Sequence, residues 1–446
     1  MLKSKYLYRV FIYLLNSYKS IIFWILDKRN FIKALGGLSL SPFLMGSSSK
    51  ELLSLSNYLP KIENDEELWK VVRSHYKLKD DYINLESGYY CILPQPTLEH
   101  FIEHVKYVNY EGSYYMRNYL IPNKDRVTSK LAKLVNTNSE ELVITRNATE
   151  SLDLIISGFP WKKGDEAIYA EQDYGAMINM FKLVAKREGI TNKVVSVPNH
   201  PKSDEEIVAL YEGQITNKTK LIMVCHQINI TGHILPIKKI CDMAHGYGVD
   251  VLVDGAHCVG QFDVSIDDLG CDYYASSLHK WLSTPLGAGL LYVNKKNIGK
   301  IWPFFASGSQ DLNDIKRLNH TGTHPVHTDI AISNAIDYIN WIGVKKKENR
   351  LRFLQKYWSD KLRGKKNILV NTPLDIKRSC GIGNVGLTNM SPGKMAQLLF
   401  DEYKIFTVAI DGANVRGCRI SPNVFTTTEE LDSLVHAVTK LSKYNT

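Results

Sequence analysis

The stretch from residue 253 to residue 282, VDGAHCVGQFDVSIDDLGCDYYASSLHKWL, contains two apolar runs that lead into polar side chains. The first run ends at Asp254, and the second, residues 273–275, leads to Lys280. We interpret both runs as buried strands of one parallel sheet, because parallel sheets are covered on both faces and their strands are continuously apolar. The carboxyl ends of such strands form the ligand sites of open α/β sheets, so Asp254 and Lys280 are predicted to lie at one functional edge.

Five more short runs surround this pair and are separated by helix-length segments. Together the seven predicted strands are residues 142–145, 167–170, 194–197, 221–224, 251–253, 273–275 and 289–293. This alternation predicts an α/β domain with a mostly parallel seven-stranded sheet between two helical layers. After about residue 341 the pattern changes to a basic helix, shorter strands and a final helix near 429–442, which predicts a smaller α+β domain.

The sequence predicts four parts. They are a leader at 1–50, an N-terminal segment at 51–90 that packs on the small domain, a large domain at 91–335 and a small C-terminal domain at 336–446.

The net charge of +9 is unevenly distributed along the chain. Residues 1–33 contribute six of these nine charges, and the remaining residues carry only three, so a nucleic-acid partner has little support. A hydrophobic content of 44% and a charged content of 23% are typical of a globular protein. The seven cysteines form no CxxC pair, which argues against a disulfide framework and a structural zinc site, and we predict no metal site.

The leader joins a mostly apolar stretch to the basic segment KRNFIK at 28–33 and a weakly apolar run. It resembles a twin-arginine export signal, although Lys28 stands in place of the first arginine. This resemblance predicts export to the periplasm, with membrane contact only through the leader. The alternatives are a cytoplasmic protein with an N-terminal amphipathic helix, or a start codon placed upstream of the true one.

Asp254 and Lys280 are the pair of residue types that pyridoxal phosphate (PLP) chemistry requires. A lysine forms a Schiff base with the PLP aldehyde, and a carboxylate keeps the pyridine nitrogen protonated so that the ring can accept electrons. The alternative is a structural ion pair between the same two residues. No GxGxxG or GxxxxGK[ST] motif is present, so a nucleotide-binding interpretation has no support.

A second set of residues predicts a phosphate site. The segment TRNATE at 145–150 follows a predicted strand and opens a helix, so the amides of Ala148 and Thr149 can hold a phosphate at the positive end of that helix. Ser277 and His279 beside the lysine can contact the same phosphate. The alternative for Thr149 is a simple helix N-cap.

With these residues in place, the sequence resembles the fold-type I PLP enzymes of the class V aminotransferase superfamily, which includes cysteine desulfurases, kynureninase and isopenicillin N epimerase. The similarity extends over about residues 69–440 and is nearest to the epimerase-like branch. The motifs that carry it are NATESL (147–152), GDEAI (164–168), HQINITG (226–232), the stretch 253–282, GTH (322–324) and RISPNVFTTTEELD (419–432).

The resemblance implies roles for single residues. Lys280 is the Schiff-base lysine, Asp254 the pyridinium partner, Asn229 a hydrogen-bond donor to the ring hydroxyl with His257 beside it, and Tyr174 an aromatic ring over the cofactor face.

Two further sites follow from the same resemblance. Gly322 and Thr323 match a loop that reaches the phosphate of the neighbouring subunit, which implies a homodimer with shared sites. Arg419 matches the arginine for the substrate α-carboxylate, and Arg416 is placed to share that role. The alternative for Arg419 is a structural salt bridge.

The expected reaction takes place at the α-carbon of an amino acid or an amino-acid-derived substrate. With Lys280 as the general base, the candidates are epimerisation, C–S elimination and transamination. A desulfurase also needs a loop cysteine, and the segment KIFTVAIDGANVRG at 404–417 has none, so this alternative is disfavoured. A non-catalytic scaffold of the same fold is the remaining alternative, and the complete set of Asp254, Asn229, His279 and Lys280 argues against it.

Overall fold

A computed structural model of the chain describes residues 59, 62, 64–309 and 311–444. The predicted leader at 1–50 and its export-signal motif lie outside these residues. No helix in the described part of the chain is long and apolar enough to cross a membrane.

A seven-stranded sheet forms the centre of the large domain. Its strands are β2 (Leu142–Thr145), β3 (Glu166–Ala170), β4 (Thr191–Val195), β5 (Thr219–Cys225), β6 (Asp250–Asp254), β7 (Tyr273–Ser277) and β8 (Gly289–Val293). Their spatial order is β2-β8-β7-β6-β5-β3-β4, and only β8 runs antiparallel to its neighbours. All seven predicted strands are present, and the predicted mostly parallel sheet is confirmed.

Successive residues of the strands pack on opposite faces of this sheet, as the two-residue period of a strand requires. In β6, for example, Val251 and Val253 belong to one hydrophobic core and Leu252 to the other. Helices cover both faces, which gives the predicted three layers.

The helices of the N-terminal segment and the large domain are α1 (Asp65–Ser74), α2 (Gln95–Glu111), α3 (Ser113–Asn118), α4 (Leu120–Leu134), α5 (Ala148–Gly158), α6 (Gly175–Glu188), α7 (Asp204–Glu212), α8 (Ile237–Gly246), α9 (Ile266–Leu269) and α10 (Val326–Ile342).

The C-terminal part contains an antiparallel four-stranded sheet covered by helices. Its elements are α11 (Val344–Leu362), β9 (Ile368–Val370), β10 (Gly383–Leu387), α12 (Pro392–Tyr403), β11 (Ile405–Phe406), β12 (Val408–Gly412), β13 (Val415–Ile420) and α13 (Thr428–Leu441). The strand order is β12-β13-β10-β9, and β12 and β13 form a hairpin. Mixed helices and antiparallel strands match the predicted small α+β domain.

The N-terminal segment contacts the C-terminal part. Strand β1 (Ile83–Asn84) pairs in parallel with β11, and Arg73 of α1 forms an ion pair with Glu430 at 2.9 Å. Helix α10 continues through the predicted boundary at residue 335 and ends at Ile342, before Gly343. The four domain limits given above remain predictions.

Candidate active site

Asp254 and Lys280 lie at the carboxyl edges of adjacent strands. Strands β6 and β7 pair in parallel, with Asp254 opposite Ala275. The Asp254 carboxylate is buried; it accepts a hydrogen bond from the Ala256 backbone N–H at 2.9 Å, and Cys225 Sγ lies 3.9 Å from its other oxygen. Burial raises the pKa of Asp254. These contacts use only part of the hydrogen-bonding capacity of the Asp254 carboxyl group.

The Lys280 amine has a lowered pKa. Burial lowers it to about 8, while the charge of Asp254 opposes this shift and that of Arg419 adds to it. Lys280 Nζ lies 2.9 Å from Nε2 of the buried His257. At neutral pH, a lysine with a pKa this low is partly present as the uncharged amine. The uncharged amine is the form that acts as nucleophile and general base.

The indole of Trp281 fixes the tautomer of His257. Trp281 Nε1 donates to His257 Nδ1 at 3.4 Å, and an indole nitrogen is a donor only. Burial lowers the pKa of His257 well below its usual range, so the ring is neutral. Its single proton is therefore on Nε2, and Lys280 Nζ must accept it. Only the neutral amine can accept a hydrogen bond, so this geometry favours the reactive form of Lys280.

Helix α5 begins beside the same strand ends. Asn147 is its N-cap and accepts a hydrogen bond from the Glu150 N–H at 2.8 Å, while the Ala148 N–H donates to Ser277 Oγ at 2.9 Å. The suggestion that Thr149 caps the helix is wrong, since Asn147 does so and Thr149 lies within the first turn. The Ala148 amide that was predicted to hold a phosphate is thus bonded to Ser277 Oγ, and Thr149 is the next residue of the helix.

The residues at this edge fit PLP. His279 Nδ1 is buried and has no hydrogen-bond partner within residues 64–309 and 311–444, which suits a nitrogen that contacts a bound anion. Burial lowers the pKa of His279 to about 4. Ser277 and the α5 N-terminus supply further polar groups for a phosphate, Asp254 supplies the carboxylate for a pyridine nitrogen, and Lys280 supplies the amine.

Tyr174 and Asn229 line an open cleft of about 340 Å³. Tyr174 is 47% exposed and precedes α6, so its ring is free to cover a planar ligand. The opposite wall is the β12–β13 hairpin, and Gln172 Nε2 donates to the Ala413 carbonyl across the cleft at 3.2 Å. The structure thus brings Tyr174 and Asn229 to one cleft.

Gly322 and Thr323 are exposed on the loop before α10. Gly322 has a φ of 69°, a left-handed conformation that favours glycine. No hydrogen bond within the described chain joins this loop to Lys280 or to the start of α5. Its implied role in a neighbouring subunit remains a prediction.

The two arginines predicted for the substrate are separated. Arg419 is buried and forms a two-pronged ion pair with Glu86, in which Nε lies 3.1 Å from Oε2 and Nη2 also donates to the carboxylate. Arg416 is 66% exposed and pairs with Asp411 at 3.2 Å. They lie three positions apart on β13, so they point to opposite faces of the sheet and do not form one site.

All seven cysteines are free and buried. Cys418 lies in β13 and Cys380 precedes β10, and burial raises the pKa of each thiol to about 12. Neither thiol is an accessible thiolate at neutral pH. No group of three or more His, Cys, Asp or Glu side chains in the described part of the chain is arranged to hold a metal ion.

Some residues of the site were not anticipated from the sequence. Glu86 follows β1 and is far from Arg419 in sequence, so no local signal connected the two. Asn147 was identifiable, because Asn before a helix, followed three residues later by Glu, is a common N-terminal signature. Trp281 stood out in the sequence only as part of the motif around Lys280, and its contact with His257 was not predicted.

Three comparisons bear on identity. The family model for aminotransferase class-V matches residues 94–434. Isopenicillin N epimerase of Amycolatopsis lactamdurans is 25% identical over 397 residues, which cover 84% of this chain and 99% of that protein. Cysteine desulfurase of Wigglesworthia glossinidia brevipalpis is 23% identical over 418 residues, which cover 84% and 98%.

Solved structures share the fold. The apo cysteine desulfurase of Thermococcus onnurineus NA1 has a TM-score of 0.74 at 21% identity and covers 84% of this chain and 98% of its own. A variant of the cystine C-S lyase C-DES, with glycine covalently linked to its PLP cofactor, has a TM-score of 0.73 at 21% identity and covers 82% and 97%. The chain therefore belongs to the class V aminotransferase family and is a PLP-dependent enzyme.

Proposed function

We propose that this enzyme removes a proton from the amino-bearing carbon of an amino acid or an amino-acid-derived substrate, with Lys280 as the general base. The observation that carries this proposal is the Lys280 amine, which lies 2.9 Å from a neutral His257 and has a pKa lowered to about 8. A base with a pKa near the working pH is both available and strong enough for proton transfer.

Bound PLP supplies an electron sink for the carbanion that forms when the proton leaves. Asp254 holds a positive charge on the pyridine nitrogen through its buried carboxylate. Ser277, His279 and Thr149 at the start of α5 would hold the phosphate, since the Ala148 amide already donates to Ser277 Oγ. Tyr174 and Asn229 would enclose the ring. Lys280 is then left to move the proton.

Three reactions share this first step: epimerisation, C–S elimination and transamination. A desulfurase mechanism is disfavoured, because it needs a thiolate at the cleft and all seven cysteines are buried. The part of the β12–β13 hairpin that lines the cleft, residues 409–413, contains no cysteine.

Absorption spectroscopy tests the cofactor role of Lys280. We expect the PLP-treated wild type to show a visible band that Lys280→Ala lacks, and Lys347→Met is the control because Lys347 is another buried lysine with a pKa lowered to about 8. A colourless wild type, or an unchanged band in Lys280→Ala, would contradict the proposal.

Incubation of candidate substrates in heavy water separates the three reactions. Deuterium at the α-carbon without a keto acid indicates epimerisation. A keto acid with aminated cofactor indicates transamination, and pyruvate with a released thiol indicates elimination. If every substrate that perturbs the visible band gave neither α-deuterium nor a keto acid nor pyruvate, Lys280 would not be the base.

We also propose a homodimer and export through the leader. The segment 302–312 supports the dimer, because it exposes several large apolar side chains, which monomeric proteins seldom do.

Export is supported by the basic segment at 28–33 and the apolar run after it. Cell fractionation with Lys28 and Arg29 changed to Gln tests it, and an unchanged distribution would refute it.

A further inference from the structure

The carboxylate of Glu86 occupies the face of Arg419 that is best suited to bind another carboxylate. Glu86 accepts from Arg419 Nε at 3.1 Å and from Arg419 Nη2. The side chains are 3% and 7% exposed. This is the two-pronged arrangement in which a guanidinium holds any planar carboxylate, so the protein itself already fills the site.

Glu86 is held in place by more than Arg419. Its Oε1 accepts from the Tyr89 N–H at 3.0 Å and its Oε2 from Ser421 Oγ at 3.3 Å. A ligand that displaced Glu86 from Arg419 would leave a buried carboxylate without its cation, which is strongly unfavourable. The pair is therefore difficult to open.

Arg419 is also fixed from other sides. Its Nη1 donates to the Asn229 carbonyl at 3.3 Å, and the Gly88 backbone packs on the guanidinium so closely that a Cβ at Gly88 would lie 3.0 Å from Arg419 Cζ. Arg419 thus lies behind Asn229, which lines the cleft, and it has little freedom to turn toward a ligand.

The cleft offers no other strong cation for a substrate carboxylate. Within the described chain, the residues that line it include Glu171 and Asp411 and no lysine or arginine. Arg416 is exposed and pairs with Asp411 at 3.2 Å. An anionic substrate group in the cleft would meet the carboxyl groups of Glu171, Asp173 and Asp411, while the arginine behind Asn229 is already neutralised by Glu86.

We propose that Glu86 determines specificity by neutralising Arg419, so that the enzyme prefers amines whose amino-bearing carbon has no free carboxylate, such as amino-acid amides and the N-terminal residue of a peptide. This inference rests on the proposed PLP chemistry and narrows its substrate class. It assigns Glu86 a role in substrate discrimination through Arg419, with no part in proton transfer.

Spectral titration of the PLP-loaded protein tests this preference. The probes are matched pairs of L-amino acid and L-amino-acid amide, with alanine, methionine and phenylalanine side chains. We expect the wild type to bind the amide at least about tenfold more tightly, and Glu86→Gln to shift the ratio toward the free acid by about tenfold. Glu348→Gln is the control, because Glu348 is another buried carboxylate that pairs with an arginine, Arg352, at 2.8 Å, and it does not line the cleft. Its ratio should match that of the wild type.

A second measurement does not depend on catalysis or on PLP. Thermal unfolding of cofactor-free protein in the presence of acetate should show stabilisation of Glu86→Gln and none of the wild type, because only the variant leaves Arg419 unneutralised.

The outcomes separate this inference from the proposed function. If the wild type binds free amino acids as tightly as their amides, or if Glu348→Gln shifts the ratio as much as Glu86→Gln does, the role of Glu86 is refuted while the PLP chemistry stands. A visible band that no amine perturbs would instead refute the proposed function. Should Glu86→Gln fail to fold, the wild-type ratio alone decides, since equal affinities would overturn the inference.

Discussion

Two features of its surroundings, burial and the contact with His257, both favour the neutral form of Lys280. Burial lowers its pKa to about 8, and His257 presents an N–H that only a neutral amine accepts. We predict that the rate at which cofactor-free protein captures PLP rises with pH and levels off above about 8, since the neutral amine is the nucleophile. Stopped-flow absorbance measures it. A midpoint near 10.5, the ordinary pKa of lysine, would show that the site does not activate the amine.

Asp254 has a separate electrostatic task. Asp254→Asn keeps an acceptor for the Ala256 N–H but loses the negative charge, so we predict a loss of about a hundredfold or more in kcat with little change in the unfolding midpoint. Cys225→Ala is the matched control, because it removes the thiol beside Asp254 and leaves the charge. Equal losses in the two variants would mean that packing, and not charge, is what matters at this position.

The sequence reveals these two residues but not the partner of Arg419. Asp254 and Lys280 each follow a strand that is recognisable from its apolar run, so their meeting follows from parallel pairing alone. The Glu86–Arg419 pair depends instead on how the N-terminal segment docks beside β13, which is a tertiary contact without a local pattern. The separation of Arg416 from Arg419 follows once both are known to lie on one strand, β13, which was not recognised from the sequence.

At the scale of elements, helix α5 links stability to cofactor binding. Asn147→Ala removes the cap that accepts the Glu150 N–H, which should cost about 1 kcal/mol of stability and also weaken PLP binding, because the same helix end faces Ser277. Ser203→Ala removes the comparable cap of α7. We expect similar losses in unfolding midpoint but weaker PLP binding only in Asn147→Ala. Equal PLP affinities in the two variants would show that the start of α5 does not contribute to phosphate binding.

Strands were predictable from the sequence where their residues form a continuous apolar run. The strands of the central sheet appear as continuous apolar runs, and the predicted limits of β2 and β8 coincide with those observed. Strand β4 runs from Thr191 to Val195 and therefore begins and ends earlier than the predicted 194–197. It is an edge strand whose first three residues are polar, so they did not extend the apolar run. The β12–β13 hairpin was not recognised, since its tip at Ala413 and Asn414 adopts positive φ without glycine at those positions.

At the scale of the whole molecule, the exposed apolar segment at 302–312 predicts an assembly. Trp302, Phe305 and Leu312 are 71%, 56% and 63% exposed, and we expect the protein to sediment as a dimer. The double variant Trp302→Glu/Phe305→Glu should sediment as a monomer. Leu374→Glu is the control, because Leu374 is 67% exposed on the C-terminal domain. A monomeric wild type, or a double variant that remains dimeric, would refute this surface as the interface.

The central claim is that Lys280 holds the cofactor at the edge formed by β6 and β7. Borohydride reduction of the PLP-loaded protein, followed by peptide mass spectrometry, tests this directly because reduction makes the lysine linkage permanent. We predict a phosphopyridoxyl group on the peptide that contains Lys280, and none on that peptide in Lys280→Ala. Modification of a different lysine with Lys280 unmodified would contradict the account.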